Sequence, residues 1–127
     1  MNPIQDQGQC GSCWAFSAVQ AMESRWEIKS GKLEKLSEQQ LVDCSGEYGN
    51  QGCNGGYEST GIDYGAKYGM ETEDDYPYTG YDGNCDYDKS KTITWTLKGH
   101  QDVTANSPTA LKTAIADGPT TVAIEAD

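Results

Sequence analysis

Apolar positions along this chain fall at short, regular steps rather than in runs. Trp14, Ala15, Ala18, Val19, Met22 and Trp26 follow one another at intervals of three and four, the spacing that places side chains on one face of an α-helix. Ser12 stands where an N-cap belongs and Gly31 where a left-handed residue ends a helix. The pattern predicts a buried helix of about 17 residues ending at Ser30. Ser37-Glu38-Gln39-Gln40 fits a capping box, in which the Ser hydroxyl and the Gln amide satisfy each other's free N–H groups. It opens a short helix to Cys44. Glycines at 46, 49, 52, 55 and 56 then make a loop able to turn sharply or approach a ligand closely. Tyr57 to Tyr68 reads as a third helix despite Gly61 and Gly65, and Tyr76 to Lys91 as an irregular acidic stretch. Ser107 caps a fourth helix with Pro108 at its first position and Gly118-Pro119 as its stop. Thr120 to Ala126 is strand-like, with its sheet partners expected beyond Asp127 or early in the chain.

Composition narrows the class. Only sixteen of 127 residues are Leu, Ile, Val or Phe, offset by three Trp, eight Tyr and five Cys. Aromatic rings bury large areas, and disulfides support a core too small to stabilise itself by burial alone. The cysteines favour an oxidising compartment on the secretory route. No apolar run exceeds the four residues Cys13 to Phe16, so no membrane span or signal core is expected, and the chain reads as a mature or truncated form with Met1 an added start. A net charge of −11 argues against nucleic acid as a partner. The acidic residues between Glu71 and Asp88 lack the order of an EF-hand loop and read as a solvated face, so no metal is expected there.

Cys10, Cys13, Cys44, Cys53 and Cys85 are an odd set, so one at least is free or paired to another chain. Three chemistries compete. Zinc is prompted by Cys10-x-x-Cys13, but no second close pair follows and His100 is the lone histidine. A redox pair would need a strand before the motif, and Asn2 to Gln9 holds one aliphatic residue, Ile4. A nucleophile is the third: Cys13 opens a helix whose N-terminal partial positive charge favours thiolate, the form that attacks carbonyls.

The neighbouring residues favour the third. Gln7-Gly8-Gln9-Cys10-Gly11-Ser12-Cys13-Trp14 contains the C-G-[SA]-C-[WY] pattern of papain and the cathepsins. Ser37 to Cys44, Gly52-Cys53-Asn54-Gly55-Gly56-Tyr57 and Tyr76-Pro77-Tyr78 follow in the order found there. The chain thus resembles papain-like cysteine proteases over nearly its whole length. The short Cys44–Cys53 interval resembles the cathepsin L-like endopeptidases rather than the cathepsin B-like exopeptidases.

The resemblance implies that Cys13 is the nucleophile and that Gln7 and the Cys13 N–H stabilise the oxyanion. It implies disulfides Cys10–Cys53 and Cys44–Cys85, leaving Cys13 free. Substrate contacts would come from Gly11, Ser12, Asn54 and the main chain of Gly55 and Gly56. Tyr57, Glu58 and Ala123 would line the pocket for the second residue before the scissile bond; Glu58 departs from the usual apolar residue and would admit a basic side chain. The implied fold is α+β: a helical domain carrying the nucleophile at 1–98, then the crossover and the first helix and strand of a β-barrel domain at 99–127, incomplete. The family's catalytic His and Asn lie roughly 130–150 residues after the nucleophile, beyond Asp127, and His100 falls in the crossover as a surface residue. The expectation is a cysteine endopeptidase whose 127 residues are inactive alone. Its partners are peptide or protein substrates and a cystatin-like or propeptide inhibitor, its setting lysosomal or secreted, and no cofactor is implied. The competing class is a non-catalytic papain-like module that binds peptides or inhibitors.

Overall fold

The computed structural model describes residues 5–93, 107–119 and 121. Four helices carry the architecture: α1 (Cys13–Ser30), α2 (Glu38–Cys44), α3 (Glu58–Tyr68) and α4 (Pro108–Asp117). Single 3-10 turns occur at Gly46–Tyr48, Gly52–Asn54 and Lys89–Lys91. Two strands of two residues each, β1 (Met70–Glu71) and β2 (Thr92–Ile93), pair antiparallel with Met70 opposite Ile93. An isolated bridge joins Leu36 to Thr72. The described residues are mostly helical, with this small sheet. None of the described helices is long and apolar enough to cross a membrane.

The helix boundaries follow the local signals. Gly31 ends α1 at φ 77°, with its N–H on Glu27 O at 2.8 Å. Ser107 caps α4 through Ala110 N, with Pro108 at the first position. Ser37 caps α2, its hydroxyl accepting from Gln40 N at 3.0 Å. The capping box is only half formed, however. Gln40 does not reach back to Ser37: its Oε1 accepts from Glu71 N and its Nε2 donates to Tyr64 Oη and Gly69 O. Ser37 N donates instead to Glu71 O. Gln40 is fully buried, so its amide is drawn to main-chain groups that would otherwise lack partners.

Trp14, Ala15, Ala18, Val19 and Met22 of α1 pack with Leu36, Leu41, Val42, Tyr64 and Met70 to form the core. The glycines of α3 set its distance from α1. A Cβ on Gly65 would lie 2.5 Å from Met22 Sδ, and one on Gly61 would lie 3.2 Å from Ala18 Cβ. Both residues that weaken α3 as an isolated helix thus let it lie close to α1.

The segment from Tyr76 to Lys91 is irregular but not loose. Tyr76 Oη donates to Asp43 Oδ2 at 2.7 Å, and burial together with that carboxylate pushes the Tyr76 phenol above its ordinary range. Gln39 accepts from Thr79 N and donates to Tyr81 O. Cys44–Cys85 clamps the end of α2 to this segment. The acidic stretch is not uniformly solvated: Glu71 is 1% exposed and its Oε2 accepts from Asp88 N. Expectations for the strand at Thr120 to Ala126, for the crossover after Lys98 and for His100 fall outside the described residues.

Candidate active site

Of the five cysteines, Cys10 pairs with Cys53 and Cys44 with Cys85. Cys13 is free, exposed and the first residue of α1. Three further links hold the start of α1 against the glycine loop. Gly11 N donates to Cys53 O at 2.9 Å, and the Trp14 indole N–H donates to Gly52 O at 3.1 Å. At Gly56 a Cβ would lie 2.7 Å from the Trp14 ring. Gly11 sits equally close: a Cβ there would lie 2.6 Å from Cys53 O. Small residues on both sides allow the helix start and the loop to touch through their backbones.

Ser12 occupies the N-cap position of α1, yet its side chain makes no capping bond. Its hydroxyl meets Tyr78 Oη at 2.9 Å instead. The Ser12 carbonyl takes Ala15 N and Phe16 N. Among the described residues, the Cys13 N–H has no acceptor, so it remains available to a ligand at the helix start. Gln7 is half-buried, and its Nε2 donates to Cys10 O at 2.7 Å. That amide is therefore held against the main chain three residues before the free thiol, with one N–H still to place.

On the other side of the site, Gly55 turns through φ 122°. Its N–H donates to Gly52 O and its carbonyl accepts from Gln51 N. The main-chain groups of Gly56 have no partner among the described residues. Of the two glycines expected to pair with substrate, only Gly56 is thus unoccupied. Asn54 is exposed, its N–H bonded to Gln51 O. Tyr57 is 65% exposed, and Glu58 is half-buried as the first residue of α3. Ala123 lies outside the described residues.

Two residues that shape the site are not apparent from the sequence pattern. Asn50 is 7% exposed; its Oδ1 accepts from Tyr57 N at 2.8 Å and Thr60 Oγ1 at 3.0 Å, and its Nδ2 donates to Ser45 Oγ. Its position among glycines is the available signal, since Asn side chains substitute for backbone in turns. Tyr78 is visible only as part of Tyr-Pro-Tyr, and nothing local announces partners about seventy residues upstream.

Comparison with known proteins agrees with this geometry. The family model "Papain family cysteine protease" matches residues 1–127. "Digestive cysteine proteinase 2" of Homarus americanus is 48% identical over 128 residues, covering 99% of this chain and 39% of that protein. "Cathepsin L-like peptidase" of Aedes aegypti is 47% identical over 132 residues, covering 99% of this chain and 38% of that protein. The solved structure of digestive procathepsin L 3 from Tenebrio molitor larval midgut superposes with a TM-score of 0.85 at 40% identity, over 91% of this chain and 38% of that one. The chain therefore spans less than two fifths of the length of these relatives. With its paired cysteines, its one free thiol at a helix start and this match along every residue, the chain belongs to the papain family of cysteine proteases, on the cathepsin L-like side.

Proposed function

We propose that these 127 residues form the nucleophile-bearing part of a cathepsin L-like cysteine endopeptidase. The observation that carries the proposal is the free, exposed Cys13 at the first position of α1 beside an unpartnered N–H. In this reading the Cys13 thiolate attacks the peptide carbonyl carbon, and the carbonyl π electrons move to oxygen. The resulting oxyanion accepts from the Cys13 N–H and the second N–H of Gln7 Nε2. Collapse expels the amine, which takes its proton from a histidinium, and leaves a thioester that water hydrolyses. The histidine, and the asparagine that orients it, come from sequence outside these residues. An extended substrate pairs with Gly56, and Gly11, Ser12, Asn54 and Gly55 shape its path. Tyr57 and Glu58 border the pocket for the second residue before the scissile bond.

The experiment compares two proteins: the 127-residue chain, and the same chain continued through its reading frame. The expected result is stoichiometric alkylation of Cys13 by iodoacetamide in both, with peptide hydrolysis only in the longer protein and none after Cys13→Ala. Hydrolysis by the short chain, abolished by Cys13→Ala, would refute the external base. A longer protein that binds peptide without turning it over would be the binding module instead. For the pocket, Glu58→Met is expected to lose hydrolysis of substrates with Arg at the second position relative to Leu; unchanged discrimination would dismiss Glu58. Two disulfides support an oxidising setting, lysosomal or secreted, and the surface between the start of α1 and Gly56 would accept a propeptide or a cystatin-like inhibitor.

A further inference from the structure

We propose that Tyr78 is a positioning residue for the oxyanion side of the site, a role that rests on the endopeptidase reading above. Its hydroxyl meets two groups at once: the Gln7 carbonyl at 2.5 Å and Ser12 Oγ at 2.9 Å. A carbonyl only accepts, so the phenol proton lies toward Gln7, and Ser12 must then donate its own proton to the phenol oxygen. One hydroxyl thereby fixes the residue that carries the oxyanion amide and the residue immediately before the nucleophile.

The need for such a tether is visible in the segment it holds. Gln5, Asp6, Gly8 and Gln9 are exposed. The bonds this segment makes itself are local: Gly8 N to Asp6 Oδ1, and Gln7 Nε2 to Cys10 O. Among the described residues, the Tyr78 bond is the one hydrogen bond that joins residues 5–9 to anything past Cys10. Without it, Gln7 is held only through Cys10, by the chain connection to that residue's disulfide and by the Gln7 side-chain bond to its carbonyl.

Tyr78 is itself built in from several sides. Its N–H donates to Glu73 Oε2 at 2.7 Å, and the next N–H, of Thr79, donates to Gln39 Oε1 at 3.0 Å. Ser37 Oγ donates to Tyr76 O at 2.6 Å, and Pro77 between the two tyrosines restricts the backbone. Phe16 packs edge-on to the Tyr78 ring, with centroids 5.0 Å apart at 76°. The phenol oxygen is therefore a fixed point on the segment after β1, anchored to Gln39 of α2 through the next residue, and it reaches the segment that precedes α1. It also explains the missing cap on α1: the fully buried Ser12 hydroxyl is engaged with Tyr78 instead of the helix N–H groups.

The test uses the enzyme in its full reading frame, as wild type, Tyr78→Phe, Gln7→Ala and the double variant. Tyr78→Phe keeps the ring and its Phe16 contact and removes only the tether. The expected result is a kcat lower by about ten- to hundredfold with KM within about twofold, because a misplaced donor acts on the transition state. Alkylation of Cys13 by iodoacetamide, which forms no oxyanion, is expected to keep its wild-type rate. In the Gln7→Ala background the Tyr78→Phe step is expected to lower kcat by less than about threefold, since the residue it acts through is gone. Equal losses in alkylation and kcat, or full additivity with Gln7→Ala, would overturn the role and leave Tyr78 a general structural support. A wild-type enzyme that alkylates but never hydrolyses peptide would remove the endopeptidase reading itself, and the Tyr78 role with it.

Discussion

Among single residues, Asn50 shows how much the glycine loop depends on one side chain. Its Oδ1 holds Tyr57 N and Thr60 Oγ1, while its Nδ2 donates to Ser45 Oγ, whose own proton is already given to Leu41 O at 2.6 Å. Only an amide fits, because both acceptor and donor are required. Asn50→Ala is expected to lower stability by about 1–3 kcal/mol, the cost of buried groups left without partners, read as a lower thermal midpoint. Asn50→Asp keeps the acceptor but turns a carboxylate oxygen toward a Ser45 oxygen with no proton to offer. Measured against the wild type at each pH, its midpoint is expected to fall further at pH 7 than at about pH 3.5, below the ordinary Asp value of about 3.9, where protonation restores a donor; a pH-independent loss would contradict that account. Cys13 was legible as the candidate nucleophile, since it sits in a motif whose parts are adjacent, and the structure leaves its thiol free and exposed. Asn50 and Tyr78 were not legible as site residues, because what they do depends on groups that only folding brings near.

The same division holds between elements. Helix ends were readable because their causes are local: Gly31 takes its left-handed turn and Ser107 and Ser37 accept their capping N–H groups as their positions require. β1 and β2 were not, since two-residue strands carry no alternation and their pairing spans more than twenty residues. The failure of Gln40 to complete its capping box, and of Ser12 to cap α1, has one cause. In each case a tertiary partner outcompeted the local one. Gly65 makes the contest measurable. In an exposed helix Gly→Ala gains roughly 1 kcal/mol, yet here the new Cβ meets Met22 Sδ at 2.5 Å. Gly65→Ala is expected to destabilise by about 1–3 kcal/mol through overpacking between α1 and α3. In a Met22→Ala background, which itself costs about 2–5 kcal/mol, the same change is expected to become neutral or stabilising. Denaturant unfolding of the four proteins gives the coupling, and additive effects would mean that α3 moves away from α1 rather than pressing on Met22.

For the whole molecule, the core is small, and two cross-links spanning 43 and 41 residues each contribute roughly 4 kcal/mol in the chain-entropy account. A charge cluster with two buried carboxylates adds a pH dependence that no single stretch of sequence displays, because it draws on three separate places. Lys35 Nζ lies 2.6 Å from Glu38 Oε2, 3.2 Å from Glu23 Oε2 and 3.8 Å from Glu73 Oε1. Glu23 and Glu38 are 1% and 2% exposed. Three carboxylates thus share one ammonium. Glu38 Oε1 and Glu73 Oε1 are buried without a donor, and a proton on Glu38, donated to Glu73, satisfies both. Burial is the largest cause, and with that hydrogen bond it outweighs Lys35 to push Glu38 from 4.5 up to about 7. The folded state therefore holds a proton that the unfolded chain releases above 4.5. Its stabilising effect is complete below pH 4.5, declines as pH rises, and is gone above about 7. The size is on the order of 3 kcal/mol at most, the free energy of that gain in proton affinity on folding. Glu38→Gln supplies a permanent N–H donor toward Glu73 without titrating. The thermal midpoint of the wild-type chain is expected to fall between pH 5 and pH 8, and that of Glu38→Gln to fall markedly less, so that the variant overtakes the wild type at the alkaline end. Parallel curves for the two proteins would place the titrating group elsewhere in the molecule.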